Sequence, residues 1–106
     1  MKEEDRNLYQ KALSKWGVSS QLLMLFEEMG ELMQAISKFD RFFDTQWRDV
    51  HRENLIDEIA DVKIMLEQLQ VMSKISDQEV NLIRETKLNR LKDILERRER
   101  SEEAKP

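Results

Sequence analysis

The chain has 106 residues, of which 38% are charged, and its net charge is −4, which disfavours nonspecific nucleic-acid binding by the whole surface. It contains no cysteine, which excludes disulfides, thiolate zinc sites and a cysteine nucleophile. His51 is the single histidine, too few for a histidine-based zinc site within one chain, so a metal would be held mainly by carboxylate oxygens, which suits Mg²⁺ or Mn²⁺.

Helix-forming residues dominate the composition, with only 2 Gly and 1 Pro in the chain. Runs of alternating Val, Ile and Thr are missing, as are Asn-Gly and Asp-Gly hairpin turns, so we predict an all-α protein. No apolar run reaches the roughly 18 residues of a membrane span, and the first ten residues lack an apolar signal-peptide core. We therefore expect a soluble, unexported protein of the cytoplasm.

The first predicted helix runs from about residue 2 to residue 16 and stops at Gly17. Ser19 and Ser20 are the candidate N-caps of the second helix. That helix fades near Phe43, and its apolar residues follow the three-four spacing of an amphipathic helix. They are Leu22, Leu25, Met29, Leu32, Ile36 and Phe39.

Residues 44–49 form the most loop-like interior stretch, and the third helix then ends near Lys74. Its apolar residues are Leu55, Ile59, Val62, Leu66 and Leu69. Ser76 and Glu79 match a capping box that opens a fourth helix, while the tail at about 97–106 lacks an apolar anchor and is expected to fray. Because no linker is visible, we predict one domain over 1–106, a four-helix antiparallel bundle.

Two pairs of acids stand beside the apolar residues of the second and third helices. Glu28 and Glu31 are three residues apart, as are Glu58 and Asp61, so each pair shares a helix face. If the turn is centred near Thr45, both pairs lie about 20 Å from it, at the same height. Antiparallel helices about 8–10 Å apart would then gather four carboxylates, whose repulsion one or two divalent cations would relieve. The alternative is a solvated acidic surface.

A small residue precedes the second acid of each pair, Gly30 in one helix and Ala60 in the other. Such a residue allows another helix or a ligand to approach closely. Gly30 costs about 1 kcal/mol of helix stability relative to alanine, which calls for a reason of this kind.

Two cations, Arg84 and Lys87, interrupt the apolar stripe of the fourth helix. A cation on a core-facing stripe needs a partner. Either these two pair with the acids of the second and third helices, or they extend to solvent at the edge of the stripe. The functional alternative is that they meet the oxygens of a phosphorylated ligand.

Aromatic residues cluster near the loop between the second and third helices. Trp16 and Trp47 are expected in the core, although Trp47 and Phe43 would also be placed to stack on a base. Phe42, Phe43, Trp47 and the six methionines exceed what a small bundle hides, which favours an oligomer. His51 is expected at a helix start or on the surface rather than in catalysis.

Glu28-Met-Gly-Glu31 and Glu58-Ile-Ala-Asp61 resemble the ExxE and ExxD motifs of the MazG-like all-α nucleoside triphosphate pyrophosphohydrolases. The surrounding sequences "EEMGELMQAISK" and "DEIADVKIMLEQL", with "KLNRLK" in the last helix, resemble those of the short single-domain members. The resemblance covers roughly residues 16 to 92, most of the chain.

This resemblance implies a Mg²⁺-dependent hydrolysis of a ribo- or deoxyribonucleoside triphosphate to the monophosphate and pyrophosphate. Such an enzyme would remove unwanted nucleotides from the cell's nucleotide pools. Mn²⁺ would be the substitute metal. The implied metal ligands and catalytic acids are Glu28, Glu31, Glu58 and Asp61. Glu27 would serve as an outer-shell acid or general base.

The family's last helix offers a Lys or Arg and an Asn near the substrate. Lys87 and Asn89 are nearest in sequence here, although their spacing departs from the family pattern; Arg84 and Lys87 remain the candidates from the stripe. The predicted substrate-binding residues are therefore Arg84, Lys87, Asn89 and Trp47. The family also implies a homodimer or homotetramer with sites near subunit interfaces.

Two other functions compete with the enzyme. One is a non-enzymatic helical oligomerisation module whose acids and cations form interchain salt bridges; Mg²⁺ should stabilise the enzyme, whereas ionic strength should affect the module. The other is nucleic-acid binding through the last helix, which its interspersed acids and the net charge oppose. We therefore expect a nucleoside triphosphate as partner, and neither nucleic acid nor membrane.

Overall fold

The computed structural model describes residues 1–105, and within them it contains four helices and no strand. This confirms the all-α prediction. In chain order the helices are α1 (Glu3–Trp16), α2 (Val18–Arg41), α3 (Arg48–Ser73) and α4 (Asp77–Glu103).

Packing divides the chain into two compact units, Met1–Lys74 and a second that begins at Ile75 and contains α4. In the first unit α2 and α3 lie along each other as a hairpin, and α1 packs against both. Its core is small, because few apolar side chains are buried there. The buried apolar residues are Tyr9, Leu25, Ala35, Val62 and Met65.

Gly17 alone separates α1 from α2. Its φ of +85° is a left-handed value that favours glycine, and its N–H donates to the carbonyl of Leu13 at 2.9 Å. Helix α1 therefore ends at this single residue and α2 begins at Val18, with no side-chain cap. The prediction that Ser19 or Ser20 caps this helix is wrong, because both already lie inside its first turn.

The hairpin turn spans residues 42–47, so the loop predicted at 44–49 is shifted by two residues. Thr45 organises the turn: its hydroxyl donates to the carbonyl of Phe42 at 2.7 Å and accepts from the N–H of Trp47 at 3.1 Å. This threonine bridge lets α3 start directly after Trp47.

Aromatic residues near the helix ends are exposed rather than buried. Trp16 is 56% exposed and Trp47 is 53% exposed, so the expectation that both lie in the core is wrong. Trp16 is the last residue of α1 and Trp47 is the N-cap of α3, where neither is buried. His51 lies in the first turns of α3, as predicted, and stacks on Phe42 with ring centroids 4.6 Å apart.

The second unit opens with the predicted capping box. The Ser76 hydroxyl accepts from the N–H of Glu79 at 3.1 Å, and the Glu79 carboxylate accepts from the N–H of Ser76 at 2.8 Å. The Glu79 carboxylate accepts from the Ser76 N–H and also from the Ser76 hydroxyl at 3.1 Å, and these two hydrogen bonds, the backbone one first, lower the pKa of Glu79. The box satisfies N–H groups that a helix start otherwise leaves without partners.

α4 continues to Glu103, although the sequence predicted fraying from about residue 97. Helix-forming residues and an ion pair of 2.9 Å between Asp93 and Arg97, four residues apart, support this last stretch. No residue of α4 is buried, so its apolar residues lie exposed along the helix. Across residues 1–105, none of the helices combines the length and apolar character needed to cross a membrane.

Candidate metal centre

The α2–α3 hairpin brings three of the four predicted acids together. Glu28, Glu31 and Glu58 each offer a carboxylate oxygen within 4.8 Å of the others. Glu28 is partly buried and Glu58 is only 8% exposed, whereas Glu31 is exposed. The cluster therefore has two acids in the helix interface and one at its edge.

A second group of acids shares Glu58 with the first. Asp57, Glu58 and Asp61 also offer oxygens within 4.8 Å of one another. Asp57 is the member that the sequence reading missed. A signal was present, because Asp57 directly precedes Glu58 just as Glu27 directly precedes Glu28.

The environment of the cluster favours protonated carboxyls. Burial, followed by repulsion from Glu31, Asp61 and Glu58, raises the pKa of Glu28 to about 7. Burial and then Glu31 also raise the pKa of Glu58. The interaction between the Glu28 and Glu58 side chains is the smallest of the causes that raise the pKa of Glu28, and it partly offsets the rise in the pKa of Glu58.

Two buried oxygens of the cluster have no hydrogen-bond partner among the described residues, Oε2 of Glu28 and Oε2 of Glu58. An unsatisfied buried polar group costs about 1–3 kcal/mol, and more when it is charged. The charges that shift both pKa values are all carboxylates, with no cation among them. The pair thus has spare acceptor capacity and uncompensated negative charge at the same place.

These residues fit a hard divalent cation. Mg²⁺ binds oxygen at about 2.1 Å, so ligands on opposite sides of the ion are about 4.2 Å apart. The carboxylate oxygens of each group span at most 4.8 Å, close to that separation. An all-oxygen, carboxylate-rich donor set also matches the preference of Mg²⁺ and Mn²⁺. The ion would satisfy the orphan oxygens and compensate their charge.

The structure leaves space beside the first acid pair. A Cβ added at Gly30 would meet no described atom within 4 Å. Packing within the first unit therefore does not require a glycine at this position. The approach of another helix or of a ligand to Gly30 stays a prediction.

The remaining predicted residues lie away from the two groups or in the second unit. Glu27 is exposed on α2 and belongs to neither group, and Trp47 is exposed at the hairpin turn. On α4, a guanidinium nitrogen of Arg84 lies 3.3 Å from the carboxylate of Glu85 on the same helix. The other two predicted residues of α4, Lys87 and Asn89, are exposed, and their substrate-binding roles stay predictions.

Comparisons of the chain with protein-family models, with curated proteins and with solved structures find no match. The function is therefore inferred from the residues and their geometry.

Proposed function

We propose that this protein is a Mg²⁺-dependent nucleoside triphosphate pyrophosphohydrolase of the MazG-like all-α type. The observation that carries the proposal is the Glu28–Glu58 pair in the α2–α3 interface: each side chain has a buried oxygen without a hydrogen-bond partner, and the charges around them are carboxylates with no compensating cation. A solvated acidic surface does not account for this pair, because solvated carboxylates have water as a partner.

In the proposed site, Glu28, Glu31, Glu58 and Asp61 would hold the ion, with Glu58 common to both acid groups. When bound, Mg²⁺ supplies charge neutralisation for the phosphates and a lowered pKa for water. The proton shared by Glu28 and Glu58 must leave before both can act as ligands, so binding should release protons.

The proposed reaction is attack of water on the α-phosphorus. A P–O bond forms to the water oxygen, the bond to the β-phosphate oxygen breaks, and the monophosphate and pyrophosphate leave. One proton of the water needs an acceptor near the cluster. Asp57 belongs to the second acid group, whereas Glu27 belongs to neither, so Asp57 is the better placed of the two.

Exposed apolar surface supports the assembly part of the proposal, a homodimer or homotetramer. Both tryptophans and the apolar residues of α4 are exposed in the single chain. Contiguous apolar surface beyond what a monomeric protein usually exposes marks an interaction surface. The same observation favours the second candidate function, an oligomerisation module without catalysis, in which the acids form interchain salt bridges.

The test is hydrolysis of each common ribo- and deoxyribonucleoside triphosphate, with Mg²⁺ and with EDTA, followed by assay of pyrophosphate and monophosphate. The variant Glu28→Gln/Glu58→Gln keeps the size of both side chains and removes the ligand charge. The matched control, Asp40→Asn/Glu53→Gln, changes exposed acids of the same two helices outside the cluster.

We expect Mg²⁺-dependent pyrophosphate release by the wild type and the control, and a loss of about 100-fold or more in the cluster variant. Absence of release with every substrate, together with no effect of Mg²⁺ on the melting temperature, would refute the enzyme. Assembly that responds to ionic strength but not to Mg²⁺ would then establish the oligomerisation module.

A further inference from the structure

A groove of about 390 Å³ lies between α1 and α3 within the first unit. Its volume is in the range of small-molecule sites. Apolar side chains and the exposed indole of Trp16 dominate its lining, and Lys11 and Lys15 lie at the α1 side. The lining residues are Leu8, Tyr9, Lys11, Ala12, Lys15, Trp16, Ile64 and Gln68.

Gln68 supplies the groove's unused polar group. Its Oε1 is buried and accepts no hydrogen bond from any described residue. The neighbouring polar group, the Tyr9 hydroxyl, is already committed, since it donates to the Glu67 carboxylate at 2.7 Å. Burial and this hydrogen bond raise the pKa of Tyr9 to about 12, so the hydroxyl stays protonated and engaged. The free acceptor in the groove is thus an amide, which suits a ligand with an N–H donor.

The position of Gln68 relates the groove to the acid cluster. Gln68 follows Asp61 by seven residues on α3, so the two lie on one face of the helix, about 10 Å apart along its axis. Ile64, between them on the same face, also lines the groove. A sugar with one or two phosphates bridges a separation of this size.

We infer that the α1–α3 groove binds the base of the nucleotide, with Gln68 accepting a hydrogen bond from an N–H group of the base and Trp16 offering a stacking surface. Glutamine is suited to such recognition, because its amide can both accept and donate to adjacent groups of a base edge. Lys15, whose ammonium lies 5.8 Å from the Trp16 ring centroid, adds positive charge beside the groove. The inference rests on the proposed function for the identity of the ligand.

The first experiment measures binding without metal, so that it does not depend on catalysis. Trp47→Phe keeps an aromatic ring at the hairpin turn and leaves Trp16 as the single tryptophan, and the common nucleoside monophosphates are titrated in EDTA while its fluorescence is followed. The test variant is Gln68→Met, which has nearly the same shape and no amide. Gln10→Met, on an exposed position of α1 outside the groove, is the matched control.

We expect at least one monophosphate to change the Trp16 fluorescence, and Gln68→Met to weaken that binding about tenfold or more while Gln10→Met leaves it unchanged. No fluorescence change with any monophosphate, or equal effects of both variants, overturns the inference. Should Gln68→Met not fold, as judged by circular dichroism, the side-chain amide resonance of Gln68 in ¹⁵N-labelled wild type decides. A shift on adding a monophosphate supports the inference, and no shift overturns it.

The second experiment separates this inference from the proposed function. In the pyrophosphate assay, Gln68→Met should reduce the preference among bases while Mg²⁺-dependent release persists. Release with an unchanged base preference overturns the groove and leaves the enzyme standing. Monophosphate binding at Trp16 without any pyrophosphate release supports the groove and refutes the hydrolase.

Discussion

Glu28 on α2 and Glu58 on α3 offer carboxylate oxygens within 4.8 Å of each other, so two acids face each other across the helix hairpin. Two ionised carboxylates at this distance repel each other, so the pair favours a shared proton, and the pKa of Glu28 is raised to about 7. The shared proton relieves the repulsion that a cation would otherwise relieve. Protons and Mg²⁺ should therefore compete for the pair, and this competition should change the stability of the protein with pH.

Without divalent cations, the contribution of Glu28 to stability should decrease as the pH rises. Its pKa is about 7 in the folded protein against 4.5 for the free side chain, so the folded state binds more protons between these values. This contribution is therefore fully present below about pH 4.5, is lost as the pH rises toward 7, and is constant above that. The melting temperature in EDTA should fall over this range in the wild type and fall less in Glu28→Gln. Identical pH profiles of the two proteins would contradict the assignment.

Mg²⁺ should reverse this trend, because it binds the deprotonated carboxylates. Its stabilising effect should be larger at about pH 8 than at about pH 5.5, where protons compete for Glu28. The measurement is the difference in melting temperature with and without Mg²⁺ at both pH values. Asp40→Asn/Glu53→Gln should behave as the wild type, and an equally large Mg²⁺ effect in Glu28→Gln/Glu58→Gln would locate the ion elsewhere.

Gly30→Ala should increase the free energy of unfolding by about 0.5–1 kcal/mol, because alanine favours the helix and the new methyl group meets no described atom. If a ligand uses the open space beside Glu31, the same change should lower kcat/KM. Urea denaturation and the pyrophosphate assay measure the two effects. Gain of stability with unchanged activity would mean that no ligand approaches this glycine.

Asp57→Asn should reduce kcat about 100-fold or more if Asp57 accepts the proton of the attacking water. Glu27→Gln should have a much smaller effect, because Glu27 lies outside both acid groups. The Mg²⁺-dependent rise in melting temperature distinguishes a proton acceptor from a metal ligand, since it should persist in Asp57→Asn while kcat falls. A larger loss in Glu27→Gln would reverse the two assignments.

The exposed apolar residues of α4 should mediate self-association. Leu91 is 51% exposed, and Leu91→Glu should lower the assembly state by placing a charge in an apolar contact. Light scattering coupled to size exclusion measures the mass. Thr86→Glu adds the same charge on the opposite face of α4 and should leave the mass unchanged. A monomeric wild type would refute the proposed assembly.

Local structure was readable from the sequence because it depends on residues close in the chain. The capping box of Ser76 and Glu79 and the stop at Gly17 are both set within a few residues. The serine caps were predicted wrongly for a related reason: the single left-handed glycine starts α2 before Ser19 is reached. The apolar pattern did not predict which of its residues are buried. Leu25 and Val62 are buried, whereas Ile36 and Ile59 on the same apolar stripes are exposed.

The sequence by itself determined the all-α class, the approximate helices and the matched acid pairs at equal distance from the hairpin turn. Those features follow from composition and helix periodicity. Tertiary structure decided that Asp57 joins the acids, that Glu27 does not, and that Oε1 of Gln68 is left unpaired in a groove against α1. Side-chain burial and rotamers depend on the neighbouring helix, and a pattern along one helix contains no information about that neighbour.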